Sequence, residues 1–205
     1  MADGDDLKRA QSGDREAFGR LVRTHYRRIY SCVAHILGNH SDADDAAQEA
    51  FLRAYVGLGG FDGRSEFSTW LYRIAINTAL NFRRKGRAMA ATAAAGAHQV
   101  NHLGGRPEAL ANQPHNPVEQ LQIDADLKRV LSKVCELSPS LRVTLVLTTV
   151  EQLSHKQVAE ILKVPEGTVA WRVNEARRML RIALSDAVSE NSVVASNFSQ
   201  SEPKV

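Results

Sequence analysis

Between Gly86 and Pro117 the chain loses every sustained apolar period, and this interruption constrains the fold more than any other feature. The stretch is rich in Ala, Asn and His and carries Gly96, Gly104, Gly105, Pro107, Pro114 and Pro117. It reads as a flexible linker over 86–118, because Gly and Pro break helices and leave the chain without an apolar face to bury. On both sides apolar residues recur every three or four positions, the period of an amphipathic helix. A chain of 205 residues cut in this way predicts an all-α protein of two small helical domains, each with its own core.

Composition narrows the class. With 43% hydrophobic and 24% charged residues the chain is neither wholly disordered nor collagen-like. Its apolar stretches are broken by Arg or Glu well short of the roughly 20 residues that span a bilayer, so no membrane insertion is expected. The start, Met1-Ala2-Asp3-Gly4-Asp5-Asp6, is acidic and has no apolar core of a secretory signal, so a cytoplasmic protein is expected. Cys32 and Cys135 lie far apart without a C-x-x-C pattern, so they read as buried thiols rather than a disulfide or zinc framework.

Residues 1–85 read as helices throughout. Asp14 can cap a long helix carrying Ala17, Phe18, Leu21, Val22, Tyr26, Ile29, Tyr30, Val33 and Ile36 and stopping at Gly38-Asn39. Ser41 is the expected cap of a second helix, with Asp42, Asp44 and Asp45 near the positive end of its dipole and its end near Gly57. After a Gly-rich loop, Leu58 to Arg64, Ser65 is expected to cap a third helix that ends about Lys85. Its apolar stripe is Phe67, Trp70, Leu71, Ile74, Ala75, Thr78 and Phe82.

Residues 119–184 hold four more helical patterns. Ser138-Pro139 is a cap followed by proline at the first helical position, and Ser154-His155-Lys156-Gln157 has capping-box spacing. A short apolar helix through Val158, Ala159, Ile161 and Leu162 is broken at Lys163-Val164-Pro165. A longer one then buries Val169, Val173, Ala176, Leu180 and Leu184. This is a helix-turn-helix pattern, and residues 185–205, rich in Ser and Asn, read as a disordered tail.

Charge is segregated. Asp42, Asp44, Asp45 and Glu49 fall in eight residues without Lys or Arg, which suits a protein-facing surface. Arg83-Arg84-Lys85-Gly86-Arg87 and Arg172, Arg177, Arg178, Arg181 form basic clusters suited to nucleic acid. On the last helix Gly167, Trp171, Asn174, Arg178 and Arg181 point away from the buried stripe, as a DNA-reading face would. On the third helix Arg73, Asn77 and Arg84 lie together with Asn81 adjacent, beside Trp70 and Tyr72. Aromatics, amides and arginines in one place suit bases that have left the duplex. His98 and His102 stand at i, i+4 without a supporting carboxylate or thiol, and the acidic turn lacks His partners. Neither supports a metal site, and no cofactor is expected.

In combination, these segments resemble bacterial sigma factors. The stretch Asp42-Ala-Asp-Asp-Ala-Ala-Gln-Glu-Ala-Phe-Leu-Arg-Ala-Tyr55, then Phe61 to Arg64, then Phe67-Ser-Thr-Trp-Leu-Tyr-Arg-Ile-Ala-Ile-Asn77, is similar to conserved regions 2.2 to 2.4. Pro165-Glu-Gly-Thr-Val169 before an Ala-Arg-Arg run is similar to region 4. Two such domains and a short linker match the extracytoplasmic-function group. The resemblance implies a dissociable specificity subunit of RNA polymerase rather than an enzyme, with the polymerase β and β′ subunits, duplex and single-stranded promoter DNA and an anti-sigma factor as partners. It assigns Asp42, Asp45, Gln48, Glu49 and Leu52 to polymerase binding. Phe61, Tyr72 and Asn77 would form the pocket for a flipped minus-ten base, with Trp70, Arg73, Asn81, Arg84 and Lys85 also on that DNA. His155 and Lys156 would touch phosphates, and Gly167, Thr168, Ala170, Trp171, Asn174, Glu175 and Arg178 would enter the minus-thirty-five major groove. Many relatives carry a basic or small residue where this chain has Ala170 and Trp171, and an arginine where it has Glu175. A glutamate can accept from a cytosine amine, so an altered minus-thirty-five preference is the expectation at Glu175. A stand-alone helix-turn-helix regulator and a metal-dependent hydrolase are the competing readings.

Overall fold

The computed structural model describes the backbone of residues 3–94 and 130–198, and the His98 and His102 pair lies outside the described residues. Among these residues every regular element is helical. They are α1 (Asp3–Gln11), α2 (Arg15–Leu37), α3 (His40–Gly57), a 3-10 turn (Leu58–Gly60), α4 (Phe67–Ala94), α5 (130–136), α6 (Pro139–Thr149), α7 (His155–Leu162) and α8 (Glu166–Phe198). Helices α1 to α4 form a first lobe and α5 to α8 a second.

Local chemistry explains most boundaries. Asp14 accepts hydrogen bonds from the Glu16 and Ala17 amides and so satisfies the open donors at the start of α2. Gly38 ends that helix at φ 82°, a left-handed conformation that glycine adopts without penalty. The α3 cap is Asn39 rather than Ser41: its side chain accepts from the Asp42 amide at 2.8 Å, and the helix starts at His40. Likewise α4 begins at Phe67, because the Ser65 hydroxyl accepts from Arg73 at 3.0 Å instead of holding the helix end. Ser154 and Gln157 form the expected capping box of α7.

Two ends depart from expectation. Helix α4 continues past Lys85, through Gly86, to Ala94, and α8 continues past Ser185 to Phe198. The Ala-rich run 88–94 explains the first, since alanine has the highest helix propensity and overrides one glycine. In the second, the Ser and Asn residues are spaced among Val and Ala and extend an existing helix, which requires no new nucleus.

The α3 residues Ala43, Ala46, Ala47, Ala50 and Ala54 are fully buried. Their small side chains bring α3 close to Leu21, Ile29, Val33 and Ile36 of α2 and to Leu71, Ala75 and Ala79 of α4. Substituting a larger residue there would overpack the lobe. In the second lobe α8 lays Val169, Val173 and Ala176 against α6 and α7. The lobes also touch, α2 against α6 and α4 against α7.

Two carboxyls tie the N-terminus down. The Ala17 amide chiefly holds Asp14 below the usual carboxylate range, and Arg20, donating to Asp6 at 2.7 Å, does the same for Asp6. A lowered folded value means that their stabilisation is present above the unfolded value of about 3.9 and is lost as pH falls through the folded value. Asp14→Asn keeps the capping oxygen but not the titration. Its urea midpoint is therefore expected to fall less than the parent's between pH 7 and pH 3, and equal falls would contradict this.

Candidate nucleic-acid and partner surfaces

Helix α3 buries its alanines and leaves the opposite face to solvent. At about 100° per residue, Asp45, Glu49, Leu52 and Val56 lie within about 60° of each other, with Asp42 and Gln48 at the margins. Leu52 is 62% exposed and Val56 85%. Asp42 and Asp45 are exposed, whereas Glu49 accepts from Arg53 at 2.8 Å and Gln48 donates to Asp44 at 3.0 Å. The predicted set thus shares one face: an apolar centre of two aliphatic side chains flanked by carboxylates. An uncovered apolar pair with a charged rim is the anatomy of a protein interface. Val56 was missed from the sequence, although its position four residues after Leu52 carries the signal.

On α4, Trp70, Arg73, Asn77, Asn81 and Arg84 share a stripe. Asn77, Arg84 and Lys85 are exposed, while Trp70, Arg73 and Asn81 are partly buried. Arg84 is held by Asn81 and Arg73 by Ser65. The Gly-rich loop is anchored beside them. Phe61 packs against Trp70 at 5.2 Å between ring centroids and edge-on to Phe67 at 6.1 Å. Gln11 donates to the carbonyls of Leu58 and Phe61, at 3.2 and 2.8 Å. Sequence reasoning missed Gln11, which lies 50 residues from the loop it orders.

A cleft of about 380 Å³ opens here, lined by Phe61, Arg64, Ser65, Trp70 and Arg73 of the first lobe and by Glu160 and Lys163 of the second. It is large enough for one nucleobase between an aromatic wall and an arginine. Phe61 is only 8% exposed and serves as wall and support rather than as a free platform. Tyr72 is displaced from its expected place. It lies about 140° around α4 from Asn77, is 5% exposed, and donates to Glu151 at 2.7 Å. Burial, reinforced by that carboxylate, pushes its hydroxyl well above the ordinary tyrosine value. Phe61, Tyr72 and Asn77 therefore do not form one pocket; Phe61, Trp70 and Arg73 do, with Asn77 farther along their stripe.

In the second lobe α7 and α8 meet through a tight break. Lys163 takes φ 53° there, and Pro165 and Glu166 lead directly into α8. Val169 and Val173 face inward, whereas Gly167, Trp171, Asn174, Arg178 and Arg181 are exposed as expected. Thr168 and Ala170 are partly covered at the edges of this row. Trp171 is 62% exposed, so it does not pack on a neighbouring helix. Lys156 is exposed and His155 partly so at the start of α7, where amides and the dipole favour a phosphate. Both oxygens of Glu175 accept from Arg178, at 2.9 and 2.7 Å. The pair lowers the Glu175 value and raises that of Arg178, each chiefly through this hydrogen bond.

Comparison with known proteins decides the family. Residues 21–89 match Sigma-70 region 2, and residues 127–180 match Sigma-70 region 4. The chain is 34% identical over 181 residues to the extracytoplasmic-function sigma factor SigW of Bacillus subtilis, covering 88% of this chain and 95% of that protein. The chain belongs to the extracytoplasmic-function RNA polymerase sigma factors. The corresponding sigma-E factor of Escherichia coli K12 is 33% identical over 177 residues, 85% of this chain and 90% of that one. Among solved structures, CnrH in complex with the cytosolic domain of CnrY aligns over 91% of this chain and 99% of its own, with a TM-score of 0.64 and 26% identity. This sigma factor directs RNA polymerase to promoters, and neither competing reading finds support. Among the described residues no helix is long and apolar enough to cross a membrane, and no three His, Cys, Asp or Glu residues are placed to hold a metal.

Proposed function

We propose that the α3 face docks on core RNA polymerase, the α4 cleft takes a flipped minus-ten base, and α8 reads the minus-thirty-five element as duplex. Residues 1–85 and 119–184 correspond to the two promoter-reading domains joined through 86–118. The chain contributes specificity rather than catalysis and works in the cytoplasm. An anti-sigma factor is the expected antagonist; the related CnrH is bound to the cytosolic domain of CnrY.

The observation that carries this reading is the exposed row Gly167, Trp171, Asn174, Arg178 on a helix whose opposite side is buried. As the second helix of a helix-turn-helix, α8 presents that exposed row to the major groove, where arginine reads guanine and an apolar surface meets the thymine methyl. Glu175, with both oxygens on Arg178, acts as a positioning residue for that arginine rather than as a reader of cytosine. In the first lobe, base flipping costs a few kcal/mol, which stacking against Trp70, backed by Phe61, offsets together with the polymerase that holds the bubble.

Transcription with core polymerase from a library randomised at both elements tests these assignments. Arg178→Ala should relax preference at one minus-thirty-five position, a loss of about 1–3 kcal/mol of discrimination. Glu175→Gln should weaken the same position without creating a new one. Asn77→Ala should alter minus-ten preference alone. If Glu175→Gln shifts a different base pair, Glu175 reads DNA directly; if Asn77→Ala changes neither element, the α4 assignment fails.

A further inference from the structure

The outward row of α8 carries a pattern that base reading does not use. Trp171, Glu175, Arg178 and Ile182 follow one another at spacings of four, three and four residues, the seam spacing of helices that pair along their length. At about 100° per residue they lie within about 60° of one another, opposite the buried Val169, Val173 and Ala176. Trp171 is 62% exposed and Ile182 49%, and Met179 beside Ile182 is exposed as well. Ile182 stands about 16 Å along the axis from Trp171, past the N-terminal turns through which a recognition helix touches base edges. An exposed isoleucine and methionine have no base to meet there.

From either end the row runs apolar, charged, charged, apolar, and its two charges are opposite in sign. Reversed, it is its own complement. An α8 laid antiparallel on another α8 sets Trp171 against Ile182 of the second copy and Glu175 against Arg178 of the second copy. The next seam positions outward, Thr168 and Ser185, are small and polar and close the row at its two ends. A parallel pairing would instead put Glu175 on Glu175 and Arg178 on Arg178, so charge selects the antiparallel form. Within one chain Glu175 and Arg178 already bond each other at 2.7 Å. In the pair, two carboxylates and two guanidiniums therefore alternate in one cluster, and each keeps an opposite charge beside it.

We propose that α8 is also a self-association surface, on which a second copy of this chain docks antiparallel through Trp171, Glu175, Arg178 and Ile182. The contact is two-fold, with the same patch used on both copies. Three turns of helix bury less than a standard interface, and the exposed Arg177 and Arg181 on its flank repel their counterparts. The pair is accordingly weak, with a Kd of about 10–100 µM. Pairing does not depend on the promoter-reading assignment, but its consequence does: it covers Trp171 and Arg178, so copies joined in this way cannot read a minus-thirty-five element.

Sedimentation velocity of the nuclease-treated full chain, from about 1 to about 200 µM, tests this. The average mass should rise from 22.5 kDa toward twice that value. Glu175→Arg and Arg178→Glu each set like charges across the two-fold axis and should weaken association by about tenfold or more. An equimolar mixture of the two single variants restores opposite charges and should associate about as well as the wild-type chain. Trp171→Ala should weaken association without altering the charge pattern. All of these side chains are at least partly exposed, so helical circular dichroism should be unchanged in every variant.

A chain that stays monomeric over the whole range overturns the proposal and leaves the row to DNA alone. Association that neither charge reversal weakens, or that the mixture fails to restore, overturns it as well, because the contact then lies elsewhere. Neither DNA nor polymerase is present in this measurement. Its failure would leave the promoter-reading assignment standing, and failure of that assignment in transcription would leave the pairing intact.

Discussion

Leu52→Glu should abolish binding of this sigma factor to core polymerase while leaving its fold intact. Leu52 is 62% exposed and touches solvent in the free chain, so a carboxylate there costs little in folding. In the docked state the same carboxylate would be buried at the apolar centre of the α3 face with no basic partner on its own helix turn, since Arg53 is already held by Glu49. Central apolar anchors of interfaces are each worth about 2 kcal/mol or more, and a buried unpaired charge adds to the loss. Affinity should therefore fall by about a hundredfold or more, with unchanged far-ultraviolet circular dichroism and thermal midpoint. Val56→Glu should behave similarly, because it continues the same stripe. A Leu52→Glu chain that binds core polymerase normally would move the docking surface elsewhere.

Arg142→Ala should cost more stability than any other substitution of a charged residue in the described part of the chain. The guanidinium is fully buried, donating to the Val134 carbonyl within its own lobe at 2.9 Å and to Ile36 in the other lobe at 2.8 Å. Removing it leaves two buried acceptors without these donors and a cavity where the side chain stood. The expected loss is about 3 kcal/mol or more. For a chain of 205 residues that lowers the thermal midpoint by about 6–12 °C. Arg142→Met, which fills much of the volume but donates nothing, should recover part of the loss. A midpoint unchanged in both variants would mean that the guanidinium is hydrated rather than buried.

Arg142 also shows where sequence reading stops. Local signals were legible: the Asp14 cap, the Gly38 stop, the Ser154 box and the inward row of α8 all depend on residues a few positions apart. The acidic face of α3 and the exposed row of α8 could be drawn on a helical wheel for the same reason. What could not be drawn depends on contacts between distant segments. Arg142 and Ile36 are 106 residues apart, and Tyr72 and Glu151 are 79 apart. No periodicity marks such partners. Resemblance alone puts Tyr72 with Asn77, whereas the packing of α4 against the second lobe turns it toward Glu151. The α3 cap illustrates a smaller failure. Asn39 and Ser41 are both good caps, and the path from the left-handed Gly38 selects the first. Gly86 suggests a helix end at Lys85, but the alanines that follow it carry α4 on to Ala94.

The central claim is that the α3 face makes this chain a subunit of RNA polymerase and that its two lobes then choose the start site. The most direct measurement is initiation by purified bacterial core polymerase on a genomic promoter library, with the wild-type chain and with Asp45→Ala/Glu49→Ala. The account predicts discrete start sites with the wild-type chain, sharing one pair of promoter elements, and their loss in the double variant at equal protein stability. Core-independent tight binding of duplex DNA with no start sites, or start sites unchanged in the variant, would contradict it.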